Sequence, residues 1–382
     1  MTSRERVIKA LEHQEPDRVP FDCRFTYEAY RKLEKTLGYP EDKTIVPRSP
    51  DLGVTPSIEF LKGFNVDLYY IGLNSWKNEP SFYFGAETFQ DAWGVGFKKI
   101  SSDSGTEYFN DSHPLSQATQ KDLEKFAWPD PDDPELTAGL QERAAYLSNE
   151  TDFALVGKFS SSIFEQAAAL LGMQQLYVDL AQDPDFVMDL FNRLTDIAIK
   201  LNEVGLKACG QYLHILRLAG DDMGSQRGTL LNPKMFRRMV KPFFERLYHQ
   251  SKALFLKYNP KGKLMAHTDG DVYPIIPDYC EMGLDVLNPV QPYVAEMEHE
   301  KLKTEFGDRL SFHGGIDIQN VLPFGSPQVV TREAIKVMKA LGRGGGYILS
   351  PTHYLLADVP PENILAMRDA VLKSGNYPLS GL

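Results

Sequence analysis

The sequence predicts an α/β protein built as a (β/α)8 TIM barrel, and three observations carry that reading. Four short apolar runs in the C-terminal half end on polar residues: Leu264–His267, Asp285–Gln291, Leu310–Asp317 and Gly346–His353. Stretches with helix-like apolar spacing separate them, at Tyr273–Met282, Ala295–Phe306 and Pro327–Leu341. Strands alternating with helices in this way are the mark of parallel strands joined by crossovers. Four more strand-like runs upstream bring the count to eight.

Taken in order, Ser3–Leu11 predicts a first helix with Ser3 as its N-cap and Val7, Ile8 and Leu11 on one face. Pro16–Asp22 turns into the first strand, and Pro20 suits a short or edge-like start. Tyr27–Leu37 reads as helix. Pro40–Pro56, rich in Pro, Asp and Gly, reads as a long loop able to cover a site. The second strand is Val66–Ile71. Residues 75 to 135 then break the rhythm: Phe89–Lys99 alternates like one hairpin strand, Thr106–Phe109 is placed to pair with it, and the segment closes on the Pro-rich Trp128–Pro134. This is an insertion after the second strand, inside a single domain spanning residues 1–382.

Glu135–Asn149 is predicted helical and Phe153–Gly157 is the third strand. It runs into Lys158–Glu165, whose serines either cap a helix or offer free N–H groups to a ligand. Leu176–Leu180 and Pro184–Gly205 are helical, Tyr212–Leu218 is the fourth strand, and Pro233–Tyr258 leads by a helix to the strand ending at His267. A last helix starts at Pro360, with prolines in its first turn.

The formal net charge of −11 comes without any run of lysine or arginine. Sequence-independent nucleic-acid binding and attachment to an anionic membrane are therefore poorly supported. No apolar stretch approaches the roughly 20 residues of a membrane-spanning helix, and the N-terminus leads into an amphipathic helix rather than an apolar signal region, so a cytoplasmic protein is expected. Cys23, Cys209 and Cys280 are too few and too scattered for a disulfide framework, and Cys280 is expected as a buried structural thiol.

In such a barrel the C-terminal strand ends share one mouth, where catalytic groups collect. His267 and Asp269 lie two residues apart, so if the strand continues they point the same way. They either share a metal ion or a proton, or serve as polar caps of the strand end. Asn288, Gln291, His313, Asp317 and His353 end the neighbouring runs. After the fourth strand, the Gly-rich loop holding Asp221, Asp222, Gln226 and Arg227 offers substrate-binding and acid/base groups, or forms a solvated turn.

Several stretches together resemble the uroporphyrinogen decarboxylase superfamily. They are Arg4–His13 with Pro16–Pro20, His313–Asp317 with Leu322–Pro327, Gly344–Pro351 and Val359–Ile364. The resemblance spans nearly the whole chain and implies the distorted barrel. True uroporphyrinogen decarboxylases carry an Arg-rich segment just after the first strand; here that position reads Phe21–Tyr30, with Asp22 where cationic groups would be needed to neutralise a many-carboxylate substrate.

The resemblance is nearer the cobamide-dependent methyltransferase branch, which binds zinc through a His-x-Cys pair and a distant Cys. His267 matches the first ligand, while Asp269 and His353 fall at the two cysteine positions. That branch implies zinc, a corrinoid on a partner protein, a small methylated substrate and a homodimer. Oxygen and nitrogen ligands suit an oxygen-bearing methyl donor better than a thiol, which gives a methoxy-type substrate. In this reading Asp222 and His313 are catalytic, Asp221, Gln226, Asn288, Gln291 and Asp317 bind substrate, and His267, Asp269 and His353 hold the metal. Two alternatives stay open: decarboxylation of a tetrapyrrole or other carboxylated substrate with Asp222 as proton donor, and non-catalytic binding of a corrinoid or tetrapyrrole.

Overall fold

The computed structural model describes residues 1–47, 50, 52–77, 85–102 and 105–379. Parts of the expected loop over 40–56 and of the expected insertion over 75–135 lie outside these residues. The centre of the fold is a curled parallel sheet of seven strands: β1 (Leu68–Gly72), β2 (Ala154–Lys158), β3 (Ile215–Gly220), β4 (Lys263–His267), β5 (Val286–Val290), β6 (Ser311–Ile316) and β7 (Tyr347–Pro351). They neighbour one another in chain order from β1 to β7, and helices join them, so the expected α/β barrel is present.

The first expected strand, entered at Pro16–Asp22, is reduced to a short extended segment between the two sheet edges. Leu349 donates its N–H to Pro20 O at 2.9 Å, Asp22 N–H donates to Leu349 O at 2.9 Å, and Asp67 N–H donates to Phe21 O at 2.8 Å. Pro20 lacks an N–H, which shortens the ladder to these few bonds. The buried carboxylate of Asp67 fixes the segment, accepting from Phe21 N–H at 2.8 Å and from Arg6 and Arg18.

Side chains repeat every two residues along a strand, so each barrel strand sends successive inward residues up toward the mouth. The lower layer is apolar: Leu68, Val156, Ile215, Met265, Val286 and Ile348 pack together, and Val7 and Leu11 of the first helix join them. That first helix, Ser3–Leu11, is capped by Thr2 in a capping box with Glu5, not by Ser3. Two residues further along the same strands the inward positions are Tyr70, Lys158, Arg217, His267, Asn288 and Ser350, with His313 from β6. The barrel thus changes from apolar to polar in one step.

Several elements differ from the sequence reading. Phe89–Lys99 is two strands, because Asp91 accepts from Trp93 and Val95 N–H and turns the chain there. Thr88–Gln90, Gly96–Ser102 and Gly105–Ser112 form a three-stranded antiparallel sheet. Glu135–Asn149 is a 3-10 turn, Pro134–Thr137, then a helix, Leu140–Glu150, separated by Gly139 at φ 67°. Pro233–Tyr258 divides into Pro233–Met239 and Lys241–Tyr258, since Pro242 must lie in a first turn. A helix at Ile58–Phe64, capped by Ser57, lies between the expected loop and the second strand, where no element was expected. The cysteines are free, and Cys280 is partly exposed rather than buried. Among the described residues no helix is long and apolar enough to cross a membrane.

Candidate active site

A cavity of about 200 Å3 opens at the polar step of the barrel. Every barrel strand contributes to its wall: Tyr70, Lys158, Arg217 with Gly220, His267, Asn288, His313 and Ser350, followed by Pro351 to Tyr354. Gly220 is required there, because a Cβ would stand 2.9 Å from the His267 ring. A second chamber of about 390 Å3 adjoins it and shares Arg24, Tyr70, Lys158 and Tyr354. Arg24 lies between two aromatic faces, 4.6 Å from the Tyr70 centroid and 4.0 Å from that of Tyr354, whose hydroxyl it also hydrogen-bonds.

His267, Asp269 and His353 each offer a ligand atom, and these atoms lie within 4.8 Å of one another. His267 Nε2 is 3.7 Å from Asp269 Oδ2 and 3.9 Å from Asp222 Oδ1. The His353 ring centroid is 6.1 Å from that of His267. Burial, the Arg217 charge and the other nearby cations hold His267 well below the usual histidine range, outweighing the Asn288 hydrogen bond, so its ring is neutral.

Three carboxyl groups crowd beside it. Asp222 Oδ1 accepts from Asp269 N–H at 2.7 Å, and Asp222 N–H donates to Glu165 Oε1 at 3.0 Å. Burial and the Asp222 charge push Glu165 far up and Asp269 to about 8, and burial raises Asp222. So much negative charge in a confined site disfavours its own ionisation. A divalent cation held by His267, Asp269 and His353 would relieve it, and a His2Asp set with an open position suits zinc. The residues therefore fit such an ion.

A row of hydrogen bonds runs along the wall of the cavity. His267 Nδ1 is 2.7 Å from Asn288 Oδ1, Asn288 Nδ2 is 2.7 Å from His313 Nδ1, His313 Nε2 is 2.9 Å from Asp22 Oδ2, and Tyr70 O–H donates to the same oxygen at 2.7 Å. Burial alone would raise Asp22, but His313, Tyr70 and Arg24 together hold it below the usual carboxylate range.

The expected site residues separate into two groups. Asp222, His267, Asn288, His313 and His353 meet at the cavity, with Asp269 beside them. Asp221 does not join them: its carboxylate accepts from the N–H groups of Ile163, Phe164 and Glu165 and caps the helix Phe164–Leu171. Gln291 accepts from Gly270 N–H at 2.9 Å, and Asp317 accepts from the N–H groups of Gln319, Asn320 and Val321. Gln226 is exposed, its amide nitrogen 3.4 Å from Gln319 Oε1. Asp221, Gln291 and Asp317 are thus committed to backbone N–H groups.

The reading from residues alone did not assign Asp22, Arg24, Tyr70, Lys158, Glu165, Arg217 and Tyr354 to the site. One signal was present for three of them. Tyr70, Lys158 and Arg217 each stand two residues after an apolar inward position, and a charged Arg217 within Ile-Leu-Arg-Leu is out of place unless it faces a polar interior.

The family described as Uroporphyrinogen decarboxylase (URO-D) matches residues 107–374. A uroporphyrinogen decarboxylase of Alkalilimnicola ehrlichii is 22% identical over 381 residues, covering 96% of this chain and 93% of the relative. One of Methylococcus capsulatus is 32% identical over 65 residues, which is only 18% of that protein's length. Among solved structures, a methyltransferase from Methanosarcina mazei shares the fold with a TM-score of 0.67 at 16% identity, over 98% of this chain and 99% of that one.

Proposed function

The chain belongs to the uroporphyrinogen decarboxylase family, and from that premise we propose that it is a methyltransferase moving a methyl group between a small methoxy-type substrate and a corrinoid on a partner protein, with zinc held by His267, Asp269 and His353. The observation that carries the reading is the approach of those three ligand atoms to within 4.8 Å. Zinc bound there would supply Lewis acidity toward an ether oxygen.

The chain's own groups supply the rest. Substrate enters the 200 Å3 cavity, and the adjoining chamber leaves room for its body. When the methyl carbon leaves, its former oxygen must gain a proton. Asp222 and Glu165 stand at the wall and are biased by burial toward their protonated forms, so they donate it. His313, in the same wall, bonds Asn288 and through it supports His267.

Arg24, Lys158 and Arg217 in the same wall favour a second reading, decarboxylation of a carboxylated substrate. One experiment separates the two. Purified protein is incubated with a methoxylated aromatic compound and a reduced corrinoid protein, with and without chelator. Methyl-corrinoid formation that chelation abolishes is expected; release of carbon dioxide from a carboxylated substrate, unaffected by chelator, would replace methyl transfer with decarboxylation.

A further inference from the structure

The row Tyr70, Asp22, His313, Asn288, His267 is linked at every step by contacts of 2.7 to 2.9 Å. With both histidines neutral, two proton arrangements satisfy the same heavy-atom positions. In the first, His313 carries its proton on Nε2 and donates to position 22, the Asn288 amide donates to His313 Nδ1, and His267 donates from Nδ1 to the Asn288 carbonyl. In the second the Asn288 amide is reversed, His313 is protonated on Nδ1, and His267 is protonated on Nε2. An amide and a neutral imidazole each have one donor and one acceptor side, so reversing one reverses its neighbours.

The arrangements differ at both ends. The first requires an acceptor at position 22 and leaves the His267 Nε2 lone pair facing the cavity. The second requires a donor at position 22 and covers that lone pair with a proton. We propose that the carboxylate of Asp22 selects the first arrangement, so that Asp22 is a positioning residue fixing the tautomer of His267 from three side chains away. The inference rests on the reading above that His267 works through Nε2.

Asp22 is suited to that task. It is only 1% exposed, and it accepts from Tyr70 O–H and from Cys23 N–H, with the Arg24 charge nearby. An ionised carboxylate has no proton to give, so it cannot face a bare His313 Nε2. The row cannot work as a proton wire, because Asn288 would have to pass through an imidic acid to relay a proton. Its effect is on orientation, as with the outer partners of other histidine ligands.

The test is nuclear magnetic resonance of the metal-free protein labelled with 15N-histidine. In the parent, His267 should be protonated on Nδ1 alone and His313 on Nε2 alone; a parent with His267 protonated on Nε2 overturns the proposal without any variant. Asp22→Asn is nearly isosteric: with its C=O kept for the Cys23 N–H, its amide nitrogen takes the place of the oxygen that faces both His313 and Tyr70, and offers N–H to His313. It should move the His267 proton to Nε2 and weaken zinc binding, titrated by calorimetry, about 10- to 100-fold. Tyr70→Phe keeps the carboxylate and should keep the parent tautomers. An Asp22→Asn protein that retains Nδ1–H on His267 refutes the proposal. Zinc that fails to bind the parent refutes the metal reading alone and leaves the tautomer result standing.

Discussion

Nδ1 of His267 lies 2.7 Å from Oδ1 of Asn288 because the two residues are direct partners in the parallel ladder of β4 and β5. Register alone therefore places a carboxamide behind the histidine. One ring nitrogen is engaged by the neighbouring strand, and the other is left to the cavity. Four tests follow from this geometry and its surroundings.

The metal reading is tested by elemental analysis of the purified protein beside His267→Ala and His353→Ala. About one zinc per chain is expected in the parent, and loss in both variants. A parent free of metal after reconstitution would remove the triad and bring decarboxylation or plain binding forward.

Asp222→Asn should lower turnover by roughly 10²–10⁴-fold, the usual contribution of a positioned acid or base, while substrate affinity changes little. Steady-state kinetics beside direct binding measures both. Weakened binding with turnover intact would contradict a proton-transfer role.

Stability should depend on Asp67, whose carboxylate is wholly buried between Arg6, Arg18 and the Phe21 N–H. Asp67→Ala leaves those donors without an acceptor in the interior, at a cost of about 3 kcal/mol. Urea denaturation reads it, and an unchanged midpoint would show that the segment closing the barrel is held by something else.

The pH dependence of stability should come in part from His214 and His299, whose pKa values are lowered to about 4, chiefly by burial. The unfolded chain binds these protons near pH 6.5 and the folded chain does not. Their contribution to stability is thus complete above 6.5 and declines as pH falls toward 4, by up to ~1.4 kcal/mol per pH unit per histidine. The raised carboxyls of Glu165, Asp221 and Asp269 act in the opposite sense over the same range, so the histidine contribution is read as a difference: between pH 7 and 5 the urea midpoint of the parent should drop relative to that of His214→Asn, which keeps an acceptor for the Leu155 N–H.

Much of the fold was legible because its signals are local. The strands ending at His267, Asn288, His313 and Ser350 alternate with helices over short distances, and each apolar run ends near its observed position. Strand boundaries moved by a few residues, and the breaks at Gly139 and before Pro242 went unread. Those depend on single residues inside otherwise helical patterns.

The site was partly legible for the same reason. His267 and Asp269 share a sequence neighbourhood, and Asp222 stands in a loop rich in polar groups. Asp221, its immediate neighbour, looks equivalent in sequence, yet it caps the helix Phe164–Leu171. The two adjacent carboxylates meet different partners: Asp222 accepts from Asp269 N–H, Asp221 from the N–H groups at the start of that helix.

By itself the sequence determined the alternation of strand and helix, the polar ends of the strands and the pairing of a histidine with an aspartate two residues on. These follow from periodicities of two and 3.6 residues, which short-range chemistry enforces. Only the tertiary structure decided that Asp22, 291 positions from His313 in the chain, bonds to it across the closed barrel. It likewise decided that His353 approaches His267 and that Gln291 and Asp317 are occupied by backbone. Such contacts depend on register and on closure of the sheet, and neither is written in any single stretch of residues.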